Sequence, residues 1–297
     1  MGLNHDLVGK QYPAQDYGVT AEAIRKYVQA YNEGNPVFCD PERAGGIIAP
    51  PMFGVVIGWL PIMLVMTDTD LHVDVLQLLH SEQDMKFFLP VVPGNIISCI
   101  ATIQHIEEKA GGESLAVEVQ GTNQRGELVQ TTIFTAFIRS NVNVGKRQRG
   151  KSHDAFSPTP KEEPLLRIAQ SIDTDQTYRY AEASGDHNPI HVDENVAKMA
   201  GMPGIIVHGL CTMAFTSKVM IDHLCDHDPR RLQRLRVRFA RPVFPGQEIT
   251  TAVWKKLDQS EHNEQIGIAG IESYTYETYN PDGKAVIKDG IAEIRSA

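Results

Sequence analysis

Tyr27 to Asp40 reads YVQAYNEGNPVFCD, and Tyr180 to Asp193 reads YAEASGDHNPIHVD. In register, Tyr27, Ala30, Asn35, Pro36 and Asp40 match Tyr180, Ala183, Asn188, Pro189 and Asp193. Two further matches follow in the same order. GGIIAPP at Gly45 resembles PGIIVHG at Pro203, and FFLPVVPGNII at Phe87 mirrors FARPVFPGQEI at Phe239. Ordered matches of this kind mean one structural unit written twice. The chain therefore divides into residues 1–140, a linker at 141–163 that is polar, basic and then Pro/Ser-rich, and residues 164–297. At 297 residues, two units of ordinary domain size are the natural partition.

Each unit has the same layout. A short polar helix (Thr20 to Asn32, Thr174 to Ser184) stops at a Gly/Asn/Pro turn. An apolar helix follows, Pro51 to Met66 and His208 to His223. Strand-like runs come next, at Ile96 to Glu107, Leu115 to Thr122 and Leu128 to Arg139 in the first unit. The second unit has them at Glu248 to Leu257, Gln265 to Tyr279 and Ala285 to Arg295, the last two joined by an Asn-Pro-Asp-Gly turn. One apolar helix with a long antiparallel sheet points to an α+β unit whose sheet wraps around the helix.

The two copies differ where chemistry would sit. SGDHNPIH, Ser184 to His191, sets a carboxylate and an imidazole five residues apart across an Asn-Pro turn. Proline fixes φ and biases the residue before it toward extended backbone, so Asp186 and His191 can face one pocket. Such a pair can take a proton from water and deliver one to carbon. Gly209, at the start of the second apolar helix, is the candidate oxyanion donor, because a side chain there would obstruct a thioester. The first copy keeps Asn35-Pro36 but has Glu33 for Asp186 and Phe38 for His191. The turn is thus separable from the acid/base pair, and the first unit reads as a binding half.

Composition narrows the classes. A formal charge of −9 argues against nucleic acid or an anionic membrane surface as the main partner. Cys39, Cys99, Cys211 and Cys225 form no CxxC pair, which favours free thiols in a reducing cytoplasm over zinc or disulfides. The start, MGLNHDLVGKQYP, lacks the basic and apolar runs of a secretion signal. Ile47 to Met66 carries no charge over twenty residues, but Pro50, Pro51 and Pro61 interrupt it, so a buried helix is expected rather than a membrane span. Within it Met52 and Gly58, beside Gly54, Trp59, Met63 and Met66, are candidates to line an acyl tunnel. Arg234, Arg236 and Arg238 share one strand face and are read as a solvated edge, while Arg241 is kept as a substrate contact. His80, Glu82 and Asp84 have no metal-ligand spacing and are assigned to the surface.

Tyr180 to His191, with Ala197, IIVHGL at Ile205 and ARPVFPG at Ala240, resembles the hydratase signature of the MaoC-like dehydratases, which include (R)-specific enoyl-CoA hydratases. The resemblance implies a double hot-dog fold with a degenerate N-terminal half. It implies that Asp186 and His191 activate water, that Asn188 orients them, and that the Gly209 N–H binds the thioester oxygen. Ser184 and His208 flank the pair as further substrate-contacting positions, His208 packing or capping at the helix start rather than acting as a second base. The expected reaction is reversible hydration of a trans-2-enoyl-CoA to the (R)-3-hydroxyacyl-CoA by a homodimer, with no metal and no cofactor beyond the CoA of its substrate. Dehydration on an acyl carrier protein, thioester hydrolysis and a non-catalytic acyl-thioester-binding subunit are the alternatives.

Overall fold

A computed structural model describes residues 2–75, 77–140, 163–256 and 270–296. The expected linker, but for its last residue, lies outside these, as does the start of the strand expected from Gln265. Ten strands form one antiparallel sheet: β1 (Gln15–Gly18), β2 (Leu78–Phe87), β3 (Ile96–Lys109), β4 (Gly112–Asn123), β5 (Leu128–Arg139), β6 (Leu166–Ser171), β7 (Leu232–Phe239), β8 (Glu248–Lys255), β9 (Ile271–Tyr279) and β10 (Ala285–Arg295). Their spatial order is β1-β3-β4-β5-β2-β7-β10-β9-β8-β6. Read outward from the centre, β2-β5-β4-β3-β1 and β7-β10-β9-β8-β6 are the same path. The repeat in the sequence is therefore a pseudo-twofold in the sheet, with β2 and β7 paired at the seam.

That seam corrects the reading of the arginine run. β7 is a central strand, not a solvated edge. Arg234 grips Asp84 through two hydrogen bonds of 2.8 and 2.6 Å and reaches Glu293 at 2.9 Å. Arg236 pairs with Glu82 and Arg238 with Asp289, at 2.9 and 2.8 Å. The carboxylates of β2, assigned to the surface, are the half-buried counter-charges of this seam. Charge on both strands hid their central position, since isolated charged strands read as edges.

Among the described residues there are seven α-helices: α1 (Ala21–Gln29), α2 (Pro36–Cys39), α3 (Gly54–Ile57), α4 (Trp59–Met66), α5 (Gln176–Ser184), α6 (Glu194–Met199) and α7 (Gly209–Leu224). Thr20 starts α1 by accepting from the Ala23 N–H. α1 and α5 meet across the pseudo-twofold, where the repeat-equivalent Tyr27 and Tyr180 rings lie 5.7 Å apart with hydroxyls at 3.3 Å. Both are fully buried; Tyr27 Oη also donates to the Met52 carbonyl, so the Tyr180 hydroxyl is satisfied by donating to Tyr27.

The two apolar helices are unequal. α7 is continuous over 16 residues. The helix expected from Pro51 to Met66 is instead a 3-10 turn at Pro51–Phe53 followed by α3 and α4, which join at Gly58. Prolines and glycines account for the break: Pro51 and Pro61 lack an N–H, and Gly54 and Gly58 lower helix propensity. Among the described residues no helix is long and apolar enough to cross a membrane.

Candidate active site

The end of α5, the 3-10 turn Pro189–His191 and the start of α7 converge at one point. Left-handed Gly185 (φ 81°) ends α5 and swings Asp186 inward. The buried Ser184 hydroxyl donates to the Tyr180 carbonyl at 2.7 Å and accepts from the Asp186 N–H at 3.2 Å. Ser184 thereby fixes the carboxylate's backbone from behind.

Asn188 connects the two reactive side chains through its main chain. Its N–H donates to Asp186 Oδ1 at 3.1 Å, and its carbonyl accepts from the His191 N–H at 3.0 Å. Its own side chain caps the turn at Ile190 N. Orientation by Asn188 thus runs through a local turn, and its amide is exposed.

His191 is 8% exposed, with Nδ1 2.9 Å from the Ile206 carbonyl oxygen. A carbonyl only accepts, so Nδ1 carries the proton and Nε2 keeps a lone pair. Burial pushes the Asp186 carboxyl above its ordinary value, against the opposing pull of His191, and the same burial lowers His191. The depressed imidazole is held neutral, with its Nε2 lone pair free and the Asp186 carboxyl group close by.

Behind them stands His208, 1% exposed and stacked on His191 with centroids 3.8 Å apart. Its Nε2 lies 2.9 Å from the Asp186 carbonyl oxygen and its Nδ1 3.2 Å from Thr177 Oγ1. Burial, reinforced by His191, pushes its pKa down to about 3. His208 is therefore a neutral brace rather than the substrate contact expected from sequence. Ligand atoms of Asp186, His191 and His208 all lie within 4.8 Å of one another, close enough to surround a cation. Both His208 nitrogens are engaged within the protein, however, so the trio does not offer three free ligands.

Gly209 is the first residue of α7, and the His208 cap makes no side-chain hydrogen bond to that first turn. A Cβ on Gly209 would sit 3.1 Å from the Phe239 ring, so a side chain there would make this aromatic give by a few tenths of an ångström where it closes over the helix start. Phe239 in turn meets His80, with ring centroids 4.9 Å apart. His80 is thus a half-buried residue at the border of the site, its pKa lowered to about 4 by burial, rather than a fully exposed surface histidine.

A cavity of about 260 Å³ adjoins Ser184 and Gly185. The first half supplies Val56, Trp59 and Leu60 to its wall. Of the residues expected to line an acyl tunnel, Trp59 lies on the wall of this cavity. Met52 is fully buried in the core, and its carbonyl accepts from Tyr27 Oη at 3.0 Å. Gly58 is buried at the α3–α4 joint, where a Cβ would lie 3.3 Å from the Gly54 carbonyl oxygen. Arg241 is exposed and donates to the Ala285 carbonyl at 2.9 Å. Thr177 and Phe239 were not singled out by the sequence, because neither belongs to the Asp186–His191 turn and only the fold brings them to it.

Residues 155–276 match the MaoC-like domain, and residues 6–132 match the FAS1-like dehydratase domain region. The probable enoyl-CoA hydratase 2 of Dictyostelium discoideum is 28% identical over 261 residues, covering 85% of each chain. The peroxisomal multifunctional enzyme type 2 of Mus musculus is 32% identical over 180 residues, 60% of this chain but only 24% of the mouse protein. The crystal structure of a MaoC-like dehydratase from Phytophthora capsici superposes with a TM-score of 0.79 at 21% identity, covering 99% of this chain and 98% of that one.

Proposed function

The chain belongs to the MaoC-like dehydratase family, and from that premise we propose that it reversibly hydrates trans-2-enoyl-CoA to (R)-3-hydroxyacyl-CoA. The observation that carries the reading is the closeness of the Asp186 carboxyl group and the His191 imidazole, with ligand atoms within 4.8 Å of one another, beside a helix start at Gly209. A water between them donates one hydrogen to each and keeps a lone pair for attack. Its oxygen bonds to C3 as one proton passes to the pair. The C2=C3 electrons move toward the thioester oxygen, where the Gly209 N–H and the positive end of α7 stabilise the charge. A proton from the pair then reaches C2, so the elements of water are added and nothing is oxidised. The acyl chain would lodge in the cavity between Trp59 and Gly185. No step needs a metal or a redox group. The (R) outcome rests on the family.

Arg230, Arg231, Arg234, Arg236 and Arg238 are all committed to carboxylates of this chain, so the run offers little to an acidic carrier or to the phosphates of CoA. A homodimer in the reducing cytoplasm completes the proposal, supported by four free thiols. Peroxisomal names among the relatives make the peroxisome the competing compartment, which cell fractionation decides.

Loss of enoyl-thioester absorbance with crotonyl-CoA and a longer 2-enoyl-CoA tests the reading. Asp186→Asn and His191→Ala should each lower turnover roughly a hundred- to ten-thousand-fold while remaining folded. A wild-type chain that is silent with both substrates yet binds them would replace the hydratase with a binding subunit.

A further inference from the structure

A second cavity, of about 250 Å³, lies in the first half. Its wall includes Ile48, Pro50, Pro51 and Phe87. In the register of the repeat these are the counterparts of Ile206, His208, Gly209 and Phe239, the residues around the reactive groove. The cavity therefore occupies the place in the first half that matches the surroundings of the reactive pair, with the chemistry removed. Pro51 has no N–H to offer where Gly209 has one, and Phe38 stands for His191. What is left is a hollow that is apolar over most of its surface, with Phe88 and Leu89 at its mouth 46% and 39% exposed.

The far wall comes from the second half and is basic. Arg230 is spent on Asp228 through hydrogen bonds of 2.8 and 2.7 Å. Arg295, exposed at the end of β10, donates to Gln233 Oε1 at 3.0 Å and meets no carboxylate within ion-pair distance among the described residues. An apolar hollow with an uncompensated guanidinium at its rim fits a chain with an anionic head. Its volume falls below that of drug-sized pockets, which limits the chain to medium length.

We propose that this vestigial groove is a second, non-catalytic binding site for a medium-chain carboxylate, its chain against Ile48, Phe87 and Leu89 and its head on Arg295. Carboxylate binding there needs no enoyl chemistry and does not depend on the hydratase reading.

Calorimetry with octanoate, run on the whole chain in saturating butyryl-CoA to fill the reactive groove, tests it. One octanoate per chain should still bind. Decanoate should bind about fifteenfold tighter, since each buried methylene contributes about 0.8 kcal/mol, and octan-1-ol at least tenfold weaker than octanoate. Arg295→Glu and, separately, Leu89→Trp should weaken octanoate at least tenfold and leave crotonyl-CoA turnover unchanged. Both positions are exposed, which protects the fold. Displacement of octanoate by butyryl-CoA, absence of binding at millimolar concentrations, or wild-type affinity in both variants would overturn the proposal.

Discussion

The turns Glu33–Phe38 and Asp186–His191 have one backbone and two fates. In each, an acidic side chain accepts from the Asn N–H two residues on, and the Asn side chain caps the next turn. Asp186 then faces a neutral imidazole. Glu33 instead accepts from Lys218 of α7 at 3.1 Å, in a side chain that is fully buried. Burial would lower the Lys218 pKa, but Glu33 and Asp222 raise it overall, so the amine stays charged. One copy of the turn leaves its carboxyl group beside an imidazole. The other has given it up to tie the first half to the central helix of the second. The lesson is that the Asn-Pro turn is only a mount, and that what faces the acid decides its use.

The sharpest break of this comparison writes the first half's residue into the second. In Gly209→Pro, proline sits at the first helical position, which it tolerates. His208 already has the extended backbone (φ −55°, ψ 135°) that a residue before proline requires. The change deletes one N–H and places a Cβ 3.1 Å from Phe239. Turnover should fall roughly a hundred- to a thousandfold, as for loss of one oxyanion donor. Gly209→Ala shares the Cβ contact but keeps the N–H, and should retain most of the rate that proline loses. Equal losses in the two variants would assign the effect to Phe239 and not to the N–H.

Next in size is the tie itself. Lys218→Met strands the Glu33 carboxylate, whose Oε2 already lacks a partner among the described residues. Chemical denaturation should show a loss of about 3 kcal/mol, the low end for breaking a buried pair because the amine is 24% exposed. Adding Glu33→Gln should recover part of it. Additive losses in the double variant would mean that the pair is not a coupled unit.

The smallest effect concerns pH. His208 is held near 3 in the fold and titrates near 6.5 when unfolded. Between those values the unfolded chain binds a proton that the folded chain refuses. Stability is therefore lost as pH falls below about 6.5, by up to about 1.4 kcal/mol per pH unit for this one group. His80 and His191, also depressed, add to the slope. His208→Gln keeps an amide donor for the Asp186 carbonyl and should flatten the dependence measured between pH 6.5 and 5. An unchanged slope would show that His208 is protonated in the fold. The first half has Pro50 at the matching position, so the acid sensitivity of this brace belongs to the second half alone.

Much of this was legible in the chain itself. Asn35-Pro36 and Asn188-Pro189 fixed two copies of one turn, because proline constrains backbone locally whatever packs around it. Asp186 and His191 stood out since the first copy has Glu33 and Phe38 in their places, and Gly209 because a side chain there would obstruct a thioester. Strands β5 and β10 run from Leu128 to Arg139 and from Ala285 to Arg295, where β-branched and aromatic residues are dense. The tertiary structure alone decided the rest. It turned charged β2 and β7 into the centre of the sheet by neutralising each with the other. It also closed Phe239 over Gly209, set His208 behind the reactive pair, and bound Glu33 to Lys218. Each of these depends on contacts between residues far apart in sequence, and local propensity carries no information about a partner that only folding brings near.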